Sequence, residues 1–186
     1  MKGAQNQTAI KELPVKITSI SAVCLLLLVP FLNSSIFQTY SYFQNLSLWF
    51  LVLGILLVGI GIKLMKDIFN QHENFPFIGE ISRIYNEGPY KIMRHPSFAS
   101  LLLIFLGLTF VLDSLFSVLF FPFLFIYFEF MAYLKEKLVY SRQFQEKYRS
   151  YVKKTQKRIF PTPYGFLIFI IYALALYVGL LNLFLI

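Results

Sequence analysis

Five stretches of this chain are long and apolar enough to cross a bilayer, and no other feature restricts its fold as strongly. A spanning helix needs about 20 mainly apolar residues, because lipid offers no partner to an unpaired backbone N–H or C=O. The runs are Pro14–Leu32, Leu48–Met65, Pro96–Leu112, Leu115–Leu134 and Tyr164–Ile186. Of the 186 residues 58% are hydrophobic and only 14% charged, too few charges to solvate a soluble domain of this size. Basic residues precede the first run, as they do in a signal peptide. Asn33-Ser34-Ser35 is a poor cleavage site, however, and four more runs follow, so it reads as a first span. The expected fold is all-α, an integral membrane protein of about five transmembrane helices. On the second span Gly54, Gly59 and Gly61 allow close helix approach.

The placement of charge sets the expected topology. Three basic residues precede or open the first span, five lie between the ends of spans two and three, and nine lie between spans four and five, which accounts for all 17. The loops Asn33–Ser47 and Asp113–Ser114 and the C-terminal stretch hold none. Five spans with a cytosolic N-terminus satisfy this pattern. The formal net charge of +8 then belongs to topology and anionic lipid, with no nucleic-acid partner required. The two inner segments carry nearly all the polar chemistry, so a site is expected at the cytosolic face, on the hairpin of spans three and four. Residues 1–79 form an N-terminal hairpin and loop in this reading, 80–163 the site-bearing region, and 164–186 a last helix. Short outer loops point to a bacterial cell membrane. Oligomeric state has no signature.

One cysteine and two histidines do not supply a disulfide framework or a zinc set, so no metal is expected. GxSxG, HExxH, a phosphate-binding Gly-rich loop and CxxC are all missing from the sequence. What remains begins at Gly88-Pro89-Tyr90, a turn, followed by Arg94-His95 and by Pro96 opening an apolar run. Proline suits the first turn of a helix, and a helix start beside two cationic side chains favours an anion. Glu129 falls at the inner end of span four, where an acid is costly and is usually paired or functional. Glu136 lies two turns further on, with Tyr133 between, so that the three share one helix face. An ion pair of Glu129 with Arg94 or Lys63 is the plain structural alternative. Leu138, Phe144, Tyr148 and Tyr151 recur among basic residues over Lys135–Pro163, as in an amphipathic helix stopped by Pro161 and Pro163.

In combination these residues resemble the isoprenylcysteine carboxyl methyltransferase family, which shares its membrane fold with the phospholipid methyltransferases. Gly88-Pro89-Tyr90, Arg94-His95-Pro96 and Gly107 match its first block, and Glu136, Phe144, Tyr148, Tyr151, Arg158 and Pro161 its second. The resemblance covers roughly residues 80–161. It implies S-adenosylmethionine held at the cytosolic end of spans three and four, and a lipophilic methyl acceptor (carboxylate, thiol or amine) entering from membrane lipid. By the same resemblance Tyr90, Arg94, His95, Pro96, Phe98, Gly107, Glu136 and Tyr148 bind cofactor and Tyr151 meets substrate; Arg158, suited to orient an anionic acceptor, and Glu129, an acid at the membrane boundary, are the candidate catalytic residues. Arg94 and His95 suit the cofactor carboxylate; Glu136 and the rings of Phe98 and Tyr148 suit its cationic groups.

The chain departs from the pattern at Phe98, which replaces a tyrosine, at Ser100, which replaces a smaller residue, and at Lys137, which replaces the second glutamate of a pair. These departures frame a second class of reading, a non-catalytic membrane protein keeping the fold. A third, a steroid-5α-reductase-like oxidoreductase, ranks lower because residues 97–107 contain no acid.

Overall fold

A computed structural model of the chain describes residues 47–71 and 83–185. The first span, Pro14–Leu32, and His72 lie outside the described residues. Within them the structure is helical without strands. Helix α1 is Ser47–Phe69, a 3-10 turn covers Gly88–Lys91, α2 is Pro96–Val111, α3 is Leu115–Lys135, α4 is Gln145–Lys154 and α5 is Tyr164–Leu185. Helices α1, α3 and α5 are long and apolar enough to span a membrane, and α2 is a shorter apolar helix. The chain is thus a multi-pass membrane protein.

Local chemistry explains the boundaries. Pro96 occupies the first turn of α2, where its missing N–H costs nothing. The α2–α3 connection is a tight hairpin in which Asp113 takes a left-handed φ of 50°. Ser114 caps α3 by accepting a hydrogen bond from the Ser117 backbone N–H at 3.2 Å.

Helix α2 is the centre of the packing. Twelve of its 16 residues are buried, so it has no polar face and no lipid face. At about 1.5 Å per residue it is roughly 24 Å long, shorter than the hydrocarbon thickness. Neighbouring helices rather than lipid therefore solvate it. Against α1 the contact is made by small residues in antiparallel register. A Cβ on Gly54 would stand 2.7 Å from the Gly107 carbonyl oxygen, and one on Gly107 would stand 2.6 Å from that of Gly54. Seven residues along each helix, Ser100 Oγ donates to the Gly61 carbonyl at 2.7 Å. Backbones this close gain dispersion contacts that lipid tails do not offer. Gly59, grouped with these glycines from sequence, faces open space instead.

Against α3 the contact is aromatic: Phe98 stacks on Phe128 with centroids 4.9 Å apart, and Phe105 pairs with Phe121. Helix α5 joins through Tyr172, whose ring lies 5.4 Å from that of Phe121. The outward faces of α1 and α5, including Trp49, Phe166 and Phe169, remain exposed, as lipid-facing residues should.

The segment after α3 differs from the expected single amphipathic helix. Helix α3 continues through a π-turn, Glu136–Tyr140, and through Ser141–Gln143 before the chain turns. Gln145 has a φ of 41°, and α4 then takes a new direction with only Tyr148 and Tyr151 buried. Leu138 is exposed on the earlier element and does not share their face.

The α1–α2 crossing predicts that Gly107→Leu lowers stability by on the order of 1–3 kcal/mol, since neither backbone can retreat. Gly59→Leu, pointing into open space, should change the thermal midpoint little. Unfolding of both variants in detergent checks the pair.

Candidate functional site

The polar end of α2 and α3 is organised by one carboxylate. Glu136 Oε2 accepts from Arg94 Nη1 at 3.1 Å and from Arg158 Nε at 3.3 Å, while Oε1 meets His95 Nε2 at 3.1 Å. The sequence placed an anion at the start of α2; the chain supplies that anion itself, from α3. Each partner arrives for a local reason. Arg94 and His95 are fixed by Pro96 and by the turn at Gly88, whose φ of +52° requires glycine. Glu136 opens the π-turn, and its carbonyl accepts both the backbone N–H and the Oγ–H of Ser141. Turns of this kind insert one extra residue and often lie at functional sites.

Arg158 comes from the far end of the sequence block. The chain returning from α4 runs along residues 90–95: Tyr151 Oη–H donates to the Tyr90 carbonyl at 2.7 Å, Arg94 N–H to the Lys157 carbonyl at 3.0 Å, and His95 N–H to the Arg158 carbonyl at 2.8 Å. Arg94 Nη2 also reaches the Gln156 carbonyl at 3.2 Å. Arg158 then bridges acids two turns apart on α3, with Nη1 at 3.6 Å from Glu129 and its guanidinium 5.6 Å from the Tyr133 ring centre. Glu129, Tyr133 and Glu136 thus share one face. The ion partner of Glu129 is Arg158, in place of Arg94 or Lys63.

Burial sets the protonation. It lowers the pKa of His95 below its ordinary 6.5, against the opposing hydrogen bond and charge of Glu136. Neutral His95 facing an acceptor-only carboxylate carries its proton on Nε2. Burial likewise pushes the Tyr148 hydroxyl above its usual range, so it remains an O–H group. Two buried atoms here have no hydrogen-bond partner, Arg94 Nε and Tyr148 Oη. Both residues line a cleft of about 810 Å³ between α3 and α4, along with Tyr133, Glu136, Lys137 and Arg158. A cleft of this size is ample for a small molecule.

Of the residues singled out from sequence, Arg94, Glu136, Tyr148 and Arg158 line this cleft. His95 and Pro96 lie behind it, and Tyr90 is buried beneath, tied to Tyr151. Phe98 is 1% exposed, with His95 and Phe128 stacked against its ring and the Lys135 ammonium 5.0 Å from its centre. It supports His95 from the core instead of presenting a face to a ligand. Gly107 lies twelve residues beyond His95, about 18 Å along the helix, in the α1 crossing. Ser100 belongs to the same crossing, so this departure from the family pattern lies outside the cleft. Lys137 does line the cleft, its ammonium 5.6 Å from the Tyr133 ring centre.

The sequence reading missed Tyr140, whose ring lies 5.3 Å from that of Tyr148 and 5.9 Å from that of His95. Its spacing of four from Glu136 was the available signal. Lys135, buried on Phe98, had none.

A family model described as phospholipid methyltransferase matches residues 46–147. The match takes in α1 to α3 and the start of α4, with Arg94, His95 and Glu136, and stops before Tyr148 and Arg158. No curated protein and no solved structure matches the chain.

Glu136→Ala leaves the buried Arg94 guanidinium without its carboxylate and should destabilise by roughly 3–5 kcal/mol, read as a lowered thermal midpoint in detergent. His95 adds a pH dependence. Its folded pKa lies below the unfolded value of about 6.5, so its contribution is whole above that pH and is lost as pH falls towards the folded value. His95→Gln keeps a donor for Glu136 without the titration. The difference in midpoint between wild type and this variant should shift between pH 7 and pH 5 in the direction of wild-type loss.

Proposed function

This chain belongs to the phospholipid methyltransferase family, a family of membrane methyltransferases, and on that premise we propose that it transfers a methyl group from S-adenosylmethionine to a lipophilic acceptor. The observation that carries the reading is a pair of buried polar atoms without well-formed hydrogen bonds, Arg94 Nε and Tyr148 Oη, on two residues that line the cleft. A buried donor without a partner is costly, and a carboxylate satisfies two at once. The methionine end of the cofactor has such a carboxylate. Its cationic groups suit the Tyr133 ring, which already attracts Lys137 and Arg158, and the Glu136 and Glu146 carboxylates in the cleft lining.

S-adenosylmethionine supplies a methyl carbon already activated by its sulfonium. The protein's task is then to position, orient and exclude water. Glu136 holds Arg94 and Arg158 in fixed directions while His95 locks the carboxylate from behind. Arg158, about one-third exposed, is placed to orient an anionic acceptor such as a carboxylate, which is nucleophilic without a general base. Glu129 sets the position of Arg158. The acceptor reaches the cleft from the bilayer at the cytosolic face.

Calorimetry of S-adenosylmethionine with the purified protein tests this. Saturable binding should be lost in His95→Ala and Glu136→Ala. Tyr148→Phe is the sharper variant. Its hydroxyl makes no well-formed hydrogen bond, only a looser approach to the Arg94 guanidinium, so the unliganded protein should lose little stability, yet cofactor affinity should fall on the order of tenfold. Absence of wild-type binding in both detergent and lipid nanodiscs would overturn the reading.

A further inference from the structure

Helix α4 separates two concavities. Its Glu146, Arg149 and Lys153 face the cleft described above, where Arg149 Nη1 and Glu146 Oε1 pair at 2.8 Å. The residues at 147, 150, 151 and 154, one helical stripe, line a second groove of about 400 Å³. Its other wall comes from the segment before the Gly88 turn, with Arg83 and Asn86. Arg83, Lys147 and Lys154 all line the groove, and among the described residues lining it none is acidic. None of the three forms an ion pair among the described residues. The Arg83 guanidinium is held 5.1 Å over the ring of Tyr85, which orients it without neutralising it. Asn86 adds an uncharged donor, whereas the Ser150 hydroxyl is already donated to the Lys147 carbonyl at 2.8 Å.

We propose that this groove binds a phosphate group, clamped between α4 and residues 83–86, and that its ligand is the headgroup of an anionic phospholipid. Arg83, Lys147 and Lys154 are solvent-exposed, so each can reach a ligand in the groove, and phosphate accepts from several donors at once. The groove lies at the polar end of the helices, beside the Gly88 turn that leads to Arg94 and His95, where headgroups of the cytosolic leaflet stand under the expected topology. Occupancy ties α4 to the chain leading into the Gly88 turn, so the ligand steadies the wall that carries Tyr148 and Arg149. The inference stands apart from methyl transfer, because neither its geometry nor its test involves S-adenosylmethionine.

The test uses the full-length protein in neutral detergent, measuring thermal midpoint and native-mass-spectrometry adducts. Three probes are titrated at matched ionic strength: dioleoylphosphatidylglycerol, dioleoylphosphatidylcholine and inorganic phosphate. Phosphatidylglycerol should raise the midpoint and leave a one-to-one adduct, whereas phosphatidylcholine should do neither. Arg83→Gln, Lys147→Gln and Lys154→Gln should each weaken the effect about fivefold. The control Lys63→Gln/Lys66→Gln, on the inner end of α1, should retain it. A midpoint shift from inorganic phosphate alone, lost in the same three variants, would assign the site to soluble phosphate while keeping its chemistry. Equal weakening in groove and control variants, or no shift with any probe, would overturn the proposal.

Discussion

The rest of the structure at the polar end depends on the Glu136 carboxylate. It is buried, and a buried charge persists only where its partners are close and well directed. Three segments meet on it: the entry to α2 through Arg94 and His95, the end of α3 through Glu136 itself, and the return from α4 through Arg158. These groups are up to 64 residues apart in the chain. The carboxylate fixes the distance between α2 and the returning strand of chain, and the backbone hydrogen bonds from residues 94 and 95 to residues 157 and 158 then align the two.

That polar junction needs a rigid base, which the apolar half provides. Helix α2 cannot shift against α1 because two backbones touch at Gly54 and Gly107, and it cannot shift against α3 because Phe98 and Phe128 stack beneath His95. The substitution of phenylalanine at position 98 is therefore a packing matter here. It places an apolar ring under the histidine and a buried lysine over that ring, while the cleft is formed by residues further along α3 and on α4.

Helix α4 stands between the two concavities and lines both. It carries Tyr148 towards one side and Lys147 and Lys154 towards the other, and its Tyr151 is tied to the Gly88 turn through the Tyr90 carbonyl. Little apolar surface holds it, so its position depends on a few polar contacts. An element held this way is suited to respond to what binds on either face.

Much of this was legible in the chain. Runs of about 20 apolar residues determine spanning helices because bilayer thickness and backbone pairing leave no alternative, and Ser47–Phe69, Leu115–Lys135 and Tyr164–Leu185 follow their runs closely. The face shared by Glu129, Tyr133 and Glu136 followed from helical periodicity alone. Three other matters were decided only by the tertiary structure. The π-turn after Glu136 depends on one backbone register shift, which residue types do not encode strongly. The division of Gly54, Gly59 and Gly61 into packed and open positions depends on which side of α1 meets α2. The partners of Glu136 depend on where the returning chain crosses α2, since a long-range ion cluster is set by the path of the backbone. Sequence determines which side chains can pair; only packing decides which of them do.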